Sequence, residues 1–108
     1  MDEKSAEYFV TSSGRRPFID WFEELGTQSQ VVVTRYIDRL LSGGKYQNVK
    51  SLKDGVFELK INYGSGLRVY FAQEGAKIIL LLLGGNKTSQ EKDIKKAKRF
   101  WRDYGKKK

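Results

Sequence analysis

The first half of the chain has apolar residues at helical spacing in two consecutive stretches. The first stretch follows Pro17, whose fixed φ angle suits the first position of a helix, and it stops at Gly26. Its apolar residues, mostly three or four positions apart, are Phe18, Trp21, Phe22 and Leu25. This spacing predicts a short helix that turns one face to the core.

A second amphipathic stretch begins directly after Gly26. Thr27 and Gln30 form a capping-box pattern, and Gly43-Gly44 is the expected end of the helix. Between them the apolar residues follow the i, i+3, i+4, i+7, i+8 rule at Val33, Tyr36, Ile37, Leu40 and Leu41. Two helices connected through Gly26 therefore predict a helical hairpin.

The periodicity changes from helical to alternating after residue 55. In "VFELKI" (56–61) and "LRVYFA" (67–72) every second residue is a large apolar one, whereas "IILLLL" (78–83) is apolar throughout. Alternation predicts strands with one buried face, and a continuous apolar run predicts an inner strand buried on both faces. The turns "NYGSG" and "QEGAK" predict an antiparallel meander of these three strands. "AEYFVT" (6–11) predicts a further short strand, which we expect beside 78–83.

The two alternating strands differ in chemistry between their two faces. One face is apolar and is expected to pack against the helices: Phe57, Leu59, Leu67, Val69 and Phe71. The other face has an unusual density of titratable groups: Glu58, Lys60, Arg68 and Tyr70. Lys53 precedes the first of these strands and Lys87 follows the apolar run, so we expect both to border this polar face.

A third helix is predicted near the end of the sequence. Thr88 and Glu91 form another capping-box pattern, and the apolar positions that follow are Ile94, Ala97, Trp101 and Tyr104. The element order is then β-α-α-β-β-β-α in one domain, residues 1–108. We predict an α+β, two-layer fold: two N-terminal helices pack on one face of an antiparallel sheet, and a basic C-terminal helix follows.

Composition narrows the chemistry that such a domain can perform. The 108 residues contain no cysteine and no histidine, which removes disulfides, thiolate metal sites and the commonest general base. We expect neither a metal nor a cofactor. The sequence has no secretory signal pattern and no apolar run of roughly 18 residues, which favours a cytoplasmic protein without a membrane partner.

The net charge of +8 is unevenly distributed along the chain. Residues 91–108 contain nine lysines and arginines against three acidic residues, a local net charge of +6. An excess of this kind favours a polyanionic partner such as nucleic acid. A solvated helix face with a charged tail is the structural alternative.

The residue types on the polar face suit RNA strand cleavage. That reaction needs a base for the 2′-OH, an acid for the leaving 5′-oxygen, and cations that offset the transition-state charge. Lysine or glutamate can act as base, tyrosine or lysine as acid, and arginine can bind phosphate through two hydrogen bonds. The structural alternative for Glu58 is a cross-strand ion pair. Gly84-Gly85, before Lys87, is either a strand exit or a bare backbone that phosphate can approach.

Three motifs follow one another in residues 52–98. The first, Gly-x-x-Glu-Leu-Arg/Lys-Ile, is matched by Gly55, Glu58, Leu59, Lys60 and Ile61. The second, Gly-x-Gly-x-Arg-Val-Tyr-Phe, is matched by Gly64, Gly66, Arg68, Val69, Tyr70 and Phe71. The third is matched by Leu82, Leu83, Gly84, Gly85, Lys87, Gln90, Asp93 and Ile94. Together they resemble the RelE/ParE superfamily of bacterial toxin–antitoxin toxins, and most of all its HigB-like, phage Gp49-like branch of addiction module killer proteins.

The resemblance implies a RelE-like toxin that enters the ribosomal A site and cuts mRNA there without metal or cofactor. It also implies a cognate antitoxin of helix-turn-helix type. By the same resemblance, Arg68 would hold the scissile phosphate, and Lys87 would stabilise the transition state or donate a proton. The other catalytic candidates are Glu58, Lys60 and Tyr70. The expected RNA-binding residues are Lys53, Asn86, Lys92, Lys95, Lys96 and Arg99.

Two other functions stay open at this point. A ParE-type toxin would inhibit DNA gyrase by protein–protein contact and would induce the DNA-damage response. A non-catalytic nucleic-acid-binding module would use the basic helix for phosphate contacts and its aromatic residues for base stacking. The aromatic residues in question are Phe100, Trp101 and Tyr104, whose position on the helix also favours a place in the core.

Overall fold

The computed structural model describes residues 3–43 and 47–106 of the chain. The helices and strands of this part are β1 Ser5–Tyr8, α1 Pro17–Glu23, α2 Thr27–Leu41, β2 Val49–Ser51, β3 Val56–Ile61, β4 Leu67–Glu74, β5 Ile78–Asn86 and α3 Gln90–Lys106. The predicted α+β class and element order are confirmed, with β2 as an addition. The sequence pattern does not predict β2, since it has three residues and two of them are exposed.

The strands form one five-stranded sheet in the order β1-β5-β4-β3-β2. Strands β2 to β5 are antiparallel neighbours, and β1 pairs in parallel with β5 through Ser5 and Ile78. The predicted meander and the interior position of the apolar strand are therefore confirmed. The expectation of an antiparallel sheet is wrong for β1, because its pairing with β5 is parallel. Strand β1 begins one residue earlier and ends three residues earlier than the predicted 6–11.

Helices α1 and α2 cover one face of the sheet. The buried residues of this first core are Phe18, Val33, Ile37, Leu59, Ile61, Val69, Phe71, Ile79 and Leu81. Phe57 and Leu67 pack against its border, so the predicted apolar face is confirmed. Pro17 is the first residue of α1, as its fixed φ angle predicts.

Helix α3 covers the opposite face and creates a second core. Its buried residues are Phe9, Val56, Tyr70, Ala72, Leu80, Leu82, Leu83 and Ala97. The sheet thus lies between two helical layers, so the predicted two-layer arrangement is wrong, and the face that was expected to be open and polar is largely closed. The physical reason is that β5 is apolar on both faces, so burying it requires a cover on each side.

The helix ends differ from the predicted capping boxes. No side chain caps α2, and Gln30 Nε2 instead donates a hydrogen bond to the carbonyl oxygen of Phe22 at 2.9 Å. Before α3, the bonds come from Asn86 and Ser89, whose N–H donates to Asn86 Oδ1 at 3.1 Å. Gly43 follows α2 with a left-handed φ of 84°, which fits its predicted role as a helix stop. Its predicted partner Gly44 lies outside the described residues.

None of the helices in residues 3–43 and 47–106 is long and apolar enough to cross a membrane.

Candidate functional site

Three of the predicted cations line one open pocket of about 380 Å³ at the end of the sheet. They come together because of strand register: Lys60 on β3 pairs with Arg68 on β4, and Arg68 pairs with Gly85 on β5. Lys87 follows two residues later. The hairpin between β3 and β4 completes the wall with Asn62, Tyr63, Gly64, Ser65 and Gly66. A concave, cationic site of this kind suits an anionic ligand.

Arg68 is the buried cation of this pocket, with only 7% of its surface exposed. Its Nε lies 3.7 Å from Glu58 Oε2, an ion pair without a direct hydrogen bond. Within residues 3–43 and 47–106, neither Nε nor Nη1 has a hydrogen-bond partner. An unpaired guanidinium nitrogen is costly, and both of these atoms are themselves shielded from solvent.

Glu58 connects Arg68 to helix α3. Its carboxylate is buried, and Gln90 Nε2 donates a hydrogen bond of 2.7 Å to Oε2, the same oxygen that faces Arg68. Glu58 does not line the cationic pocket. It is therefore placed to hold the guanidinium from behind, and the first turn of α3 holds Glu58 in turn.

Tyr70 lies inside the second core and not at the pocket. Its side chain has no exposed surface, and its hydroxyl has no hydrogen-bond partner among the described residues. Burial raises the pKa of Tyr70, the negative charges of Glu58 and Asp93 raise it further, and Arg68 opposes them. The structure therefore does not bring this predicted acid to the pocket, because α3 covers the part of the sheet on which it lies.

Gly84 and Gly85 allow two helices to approach β5 from opposite sides. A Cβ atom on Gly84 would overlap the ring of Trp21 from α1, and one on Gly85 would overlap the carboxylate of Asp93 from α3. Asp93 is itself buried and accepts a 2.5 Å hydrogen bond from Ser89 Oγ. The two glycines are thus close-packing positions, and the alternative of a backbone open to phosphate is wrong for them.

Two remaining candidates, Asn86 and Lys53, lie at different distances from the cationic pocket. Asn86 is exposed beside Lys87, and its side chain organises the turn before α3. Lys53 precedes β3, whereas Lys60, which lines the pocket, is near the end of that strand. Lys60 is four residues beyond Val56, or roughly 13 Å at about 3.3 Å per strand residue. Lys53 therefore lies away from the cationic pocket, and its predicted role in RNA binding stays a prediction.

The cations of α3 do not form one uniform surface. Lys96 and Arg99 line a second open groove of about 520 Å³, together with Arg15 from the segment before α1. Lys92 and Lys95 are exposed outside this groove. Lys98, which was not a candidate, pairs with Asp54 at 3.4 Å.

The aromatic residues of α3 belong to the core. Phe100 stacks on Phe9 with ring centroids 5.0 Å apart, and Trp101 stacks on Tyr104 at 5.7 Å. All of the α3 members of this set pack against the second core. The core interpretation of these residues is confirmed, and the base-stacking role considered for a binding module has no support.

The hairpin residues of the pocket wall and Gln90 were not among the sequence candidates. Gln90 supports Glu58, and its only signal in the sequence is its place in the third motif. Tyr63 lines the cationic pocket from the hairpin loop, where the "NYGSG" pattern indicates a turn and gives no sign of a site.

Comparison with known proteins gives the family to which this chain belongs. Residues 20–102 match the family described as Phage derived protein Gp49-like (DUF891). An uncharacterized protein of Haemophilus influenzae is 37% identical over 89 residues, which cover 82% of this chain and 89% of that protein. The chain therefore belongs to the phage-derived Gp49-like family, which is part of the RelE/HigB-type toxin group. This membership indicates a toxin of a toxin–antitoxin module, with an antitoxin as its partner.

Proposed function

We propose that this protein is a ribosome-dependent mRNA endonuclease that arrests translation until a cognate antitoxin of helix-turn-helix type neutralises it. The observation that carries the proposal is the convergence of Lys60, Arg68 and Lys87 on one open pocket. Since the ribosomal A site presents mRNA as a single strand in the cytoplasm, the proposal also assigns the protein to that compartment.

The chemistry assigned to the pocket is transfer of the phosphoryl group to the 2′-oxygen of the same strand. The 2′-oxygen bonds to phosphorus, the P–O5′ bond breaks, and the products are a 2′,3′-cyclic phosphate and a free 5′-hydroxyl. Arg68, which lines the open pocket, binds the non-bridging phosphate oxygens. Lys87 as an ammonium protonates the leaving 5′-oxygen. Lys60, which lines the same pocket, is the group assigned to accept the proton from the 2′-OH.

The buried acids have a positioning role in this proposal. Glu58 holds the Arg68 guanidinium, and Gln90 holds Glu58. Tyr70, which has no exposed surface, takes no part in proton transfer. The groove formed by Arg15, Lys96 and Arg99 supplies a further polyanion-binding surface on α3, which fits a substrate embedded in ribosomal RNA.

The test is transcriptome-wide mapping of new RNA 5′ ends after brief induction in bacterial cells. Lys87→Gln is the main variant, because Lys87 is exposed and its loss should leave the fold intact. Arg68→Lys keeps a positive charge beside Glu58 and removes only the planar fork. Lys77→Gln removes the same charge from the turn at the other end of β5 and serves as the matched control.

We expect wild type and Lys77→Gln to produce new ends inside translated frames, spaced by codons and dependent on translation. Lys87→Gln and Arg68→Lys should each lower the yield of these ends by about 10²–10⁴-fold. Full cleavage by Lys87→Gln would overturn the assigned chemistry. Growth arrest with intact mRNA would overturn the endonuclease itself and favour a gyrase target, and no arrest would favour a non-catalytic binding module.

A further inference from the structure

Another open pocket, of about 350 Å³, lies next to the cationic pocket on the side of helix α2. Its lining residues are Gln28, Val31, Val32, Arg35 and Tyr63. Tyr63 is shared, because it also lines the pocket that contains Lys60, Arg68 and Lys87. The two pockets are thus neighbouring compartments of one surface, with the Tyr63 side chain between them.

Hydrogen bonds fix Tyr63 at its side-chain hydroxyl and at its backbone. Its hydroxyl is 3.1 Å from Gln28 Oε1 on α2, to which it donates a hydrogen bond. Its backbone N–H donates to the carbonyl of Ile61 at 3.0 Å, and its carbonyl accepts from the N–H of Gly66 at 3.0 Å. The ring is therefore oriented before any ligand arrives, which lowers the entropy cost of binding.

The α2 side of this pocket combines apolar surface with positive charge. Val31 is one of the few exposed large hydrophobic residues of the described chain, with 45% of its surface accessible. Val32 is half-buried beside it, and Arg35 is exposed one turn further along the helix. An unpaired nucleobase needs an aromatic or aliphatic surface for its ring faces, and its flanking phosphate needs a cation.

We propose that this compartment, which we call the Tyr63 pocket, binds the nucleobase of the nucleotide next to the scissile phosphate. The ligand class is single-stranded RNA, because a paired base could not leave its stack to enter the pocket. The surface matches the order of groups along an RNA strand. The cationic pocket corresponds to one phosphate, Tyr63 and the two valines to the base, and Arg35 to the next phosphate. The assignment of the scissile phosphate to the first pocket rests on the proposed function.

Recognition through ring faces tolerates different bases, since every base has a π surface. The Tyr63 pocket therefore contributes affinity and positioning more than sequence preference. This property suits a toxin that cuts many messages, and it distinguishes the pocket from a site that reads base edges through hydrogen bonds.

The experiment measures binding of a short single-stranded RNA whose 2′-positions carry fluorine, so that the strand cannot be cut. A matched series has one abasic position, moved stepwise along the strand. Four proteins are compared by fluorescence anisotropy: wild type, Tyr63→Leu, Tyr63→Phe and Tyr8→Leu. Tyr8→Leu removes an exposed tyrosine from edge strand β1 and controls for the general loss of an aromatic ring.

We expect wild type, Tyr63→Phe and Tyr8→Leu to bind the intact strand about tenfold more tightly than the strand with the critical abasic position. Tyr63→Leu should bind the intact strand about tenfold more weakly and lose the discrimination. The proposal is overturned if wild type does not discriminate at any position, or if Tyr63→Leu discriminates equally well. Weaker antitoxin binding by Tyr63→Leu, with RNA discrimination unchanged, would overturn it in favour of a protein ligand.

The outcomes for this pocket and for the cleavage reaction are separable. Base discrimination in a protein that makes no new RNA ends in cells would refute the endonuclease and leave the Tyr63 pocket standing. Cleavage that depends on Lys87, without any effect of Tyr63→Leu on discrimination, would support the endonuclease and refute base binding in the Tyr63 pocket.

Discussion

The ion pair between Glu58 and Arg68 should be among the most strongly coupled pairs of the molecule. Its side chains are 6% and 8% exposed, and the closest nitrogen and oxygen are 3.7 Å apart. At an effective dielectric constant of about 20, Coulomb's law gives a gross attraction of roughly 4 kcal/mol at this separation. Removing one partner leaves the other charge buried and unpaired, which costs about 3–5 kcal/mol.

A double-mutant cycle measures this coupling directly. Glu58→Gln keeps an oxygen that can accept the hydrogen bond from Gln90, so it mainly removes charge. Arg68→Met keeps an unbranched side chain without charge. We expect each single variant to lose about 3–4 kcal/mol of unfolding free energy in urea, and the double variant to lose at least about 2 kcal/mol less than the sum.

The exposed pair of Lys98 and Asp54 is the natural control for this cycle. Its atoms are closer, at 3.4 Å, but the Asp54 side chain is 73% exposed. Solvent screening should limit its coupling to about 0–1 kcal/mol. A coupling below about 0.5 kcal/mol for Glu58 and Arg68 would refute the reasoning, because burial would then not strengthen the pair.

Two further predictions concern the packing of α3. Gly85→Ala should lower the unfolding free energy by about 1–3 kcal/mol or more, because the added Cβ would overlap Asp93. The control Gly105→Ala has open space for its Cβ and should cause no loss. Equal losses in the two variants would contradict the close packing of Gly85 against α3. Tyr70→Phe should not destabilise the protein at neutral pH, since the hydroxyl has no partner among the described residues. Burial raises the folded-state pKa of Tyr70, so ionisation of this residue favours the unfolded state. Above roughly pH 10, the unfolding free energy of wild type should therefore fall by up to about 1.4 kcal/mol per pH unit more than that of Tyr70→Phe. Parallel alkaline denaturation curves for the two proteins would contradict this effect of Tyr70.

The strands could be predicted from the sequence because their pattern is local. The alternation in "VFELKI" coincides with β3, and the alternation in "LRVYFA" covers most of β4. The predicted capping boxes do not form. At α2 the N-cap position is Gly26, so Thr27 is already the first helical residue. At α3 the turn made by Asn86 and Ser89 replaces the one expected from Thr88 and Glu91.

The candidate site was only partly predictable, for a different reason. Lys60 and Arg68 converge because a short hairpin fixes their register, which the sequence reveals. The burial of Glu58 and Tyr70 depends on where α3 packs, and no pattern within β3 or β4 carries that information. Lys53 precedes β3 and Lys60 lies near its end, so the two lysines are separated along the strand even though both were candidates.

The parallel pairing of β1 with β5 has a consequence for the order of folding. Ser5 meets Ile78 only after the intervening helices and strands have been bridged, so closing this ladder carries a large loop entropy and slows folding. Helix α3 follows β5 in the chain, and its Gln90 donates the hydrogen bond that supports Glu58, the partner of Arg68. A chain in which α3 has not yet packed would have a hydrated, unoriented Arg68. The cationic pocket therefore depends on the packing of α3, and we expect the toxin to become competent only with its complete native structure.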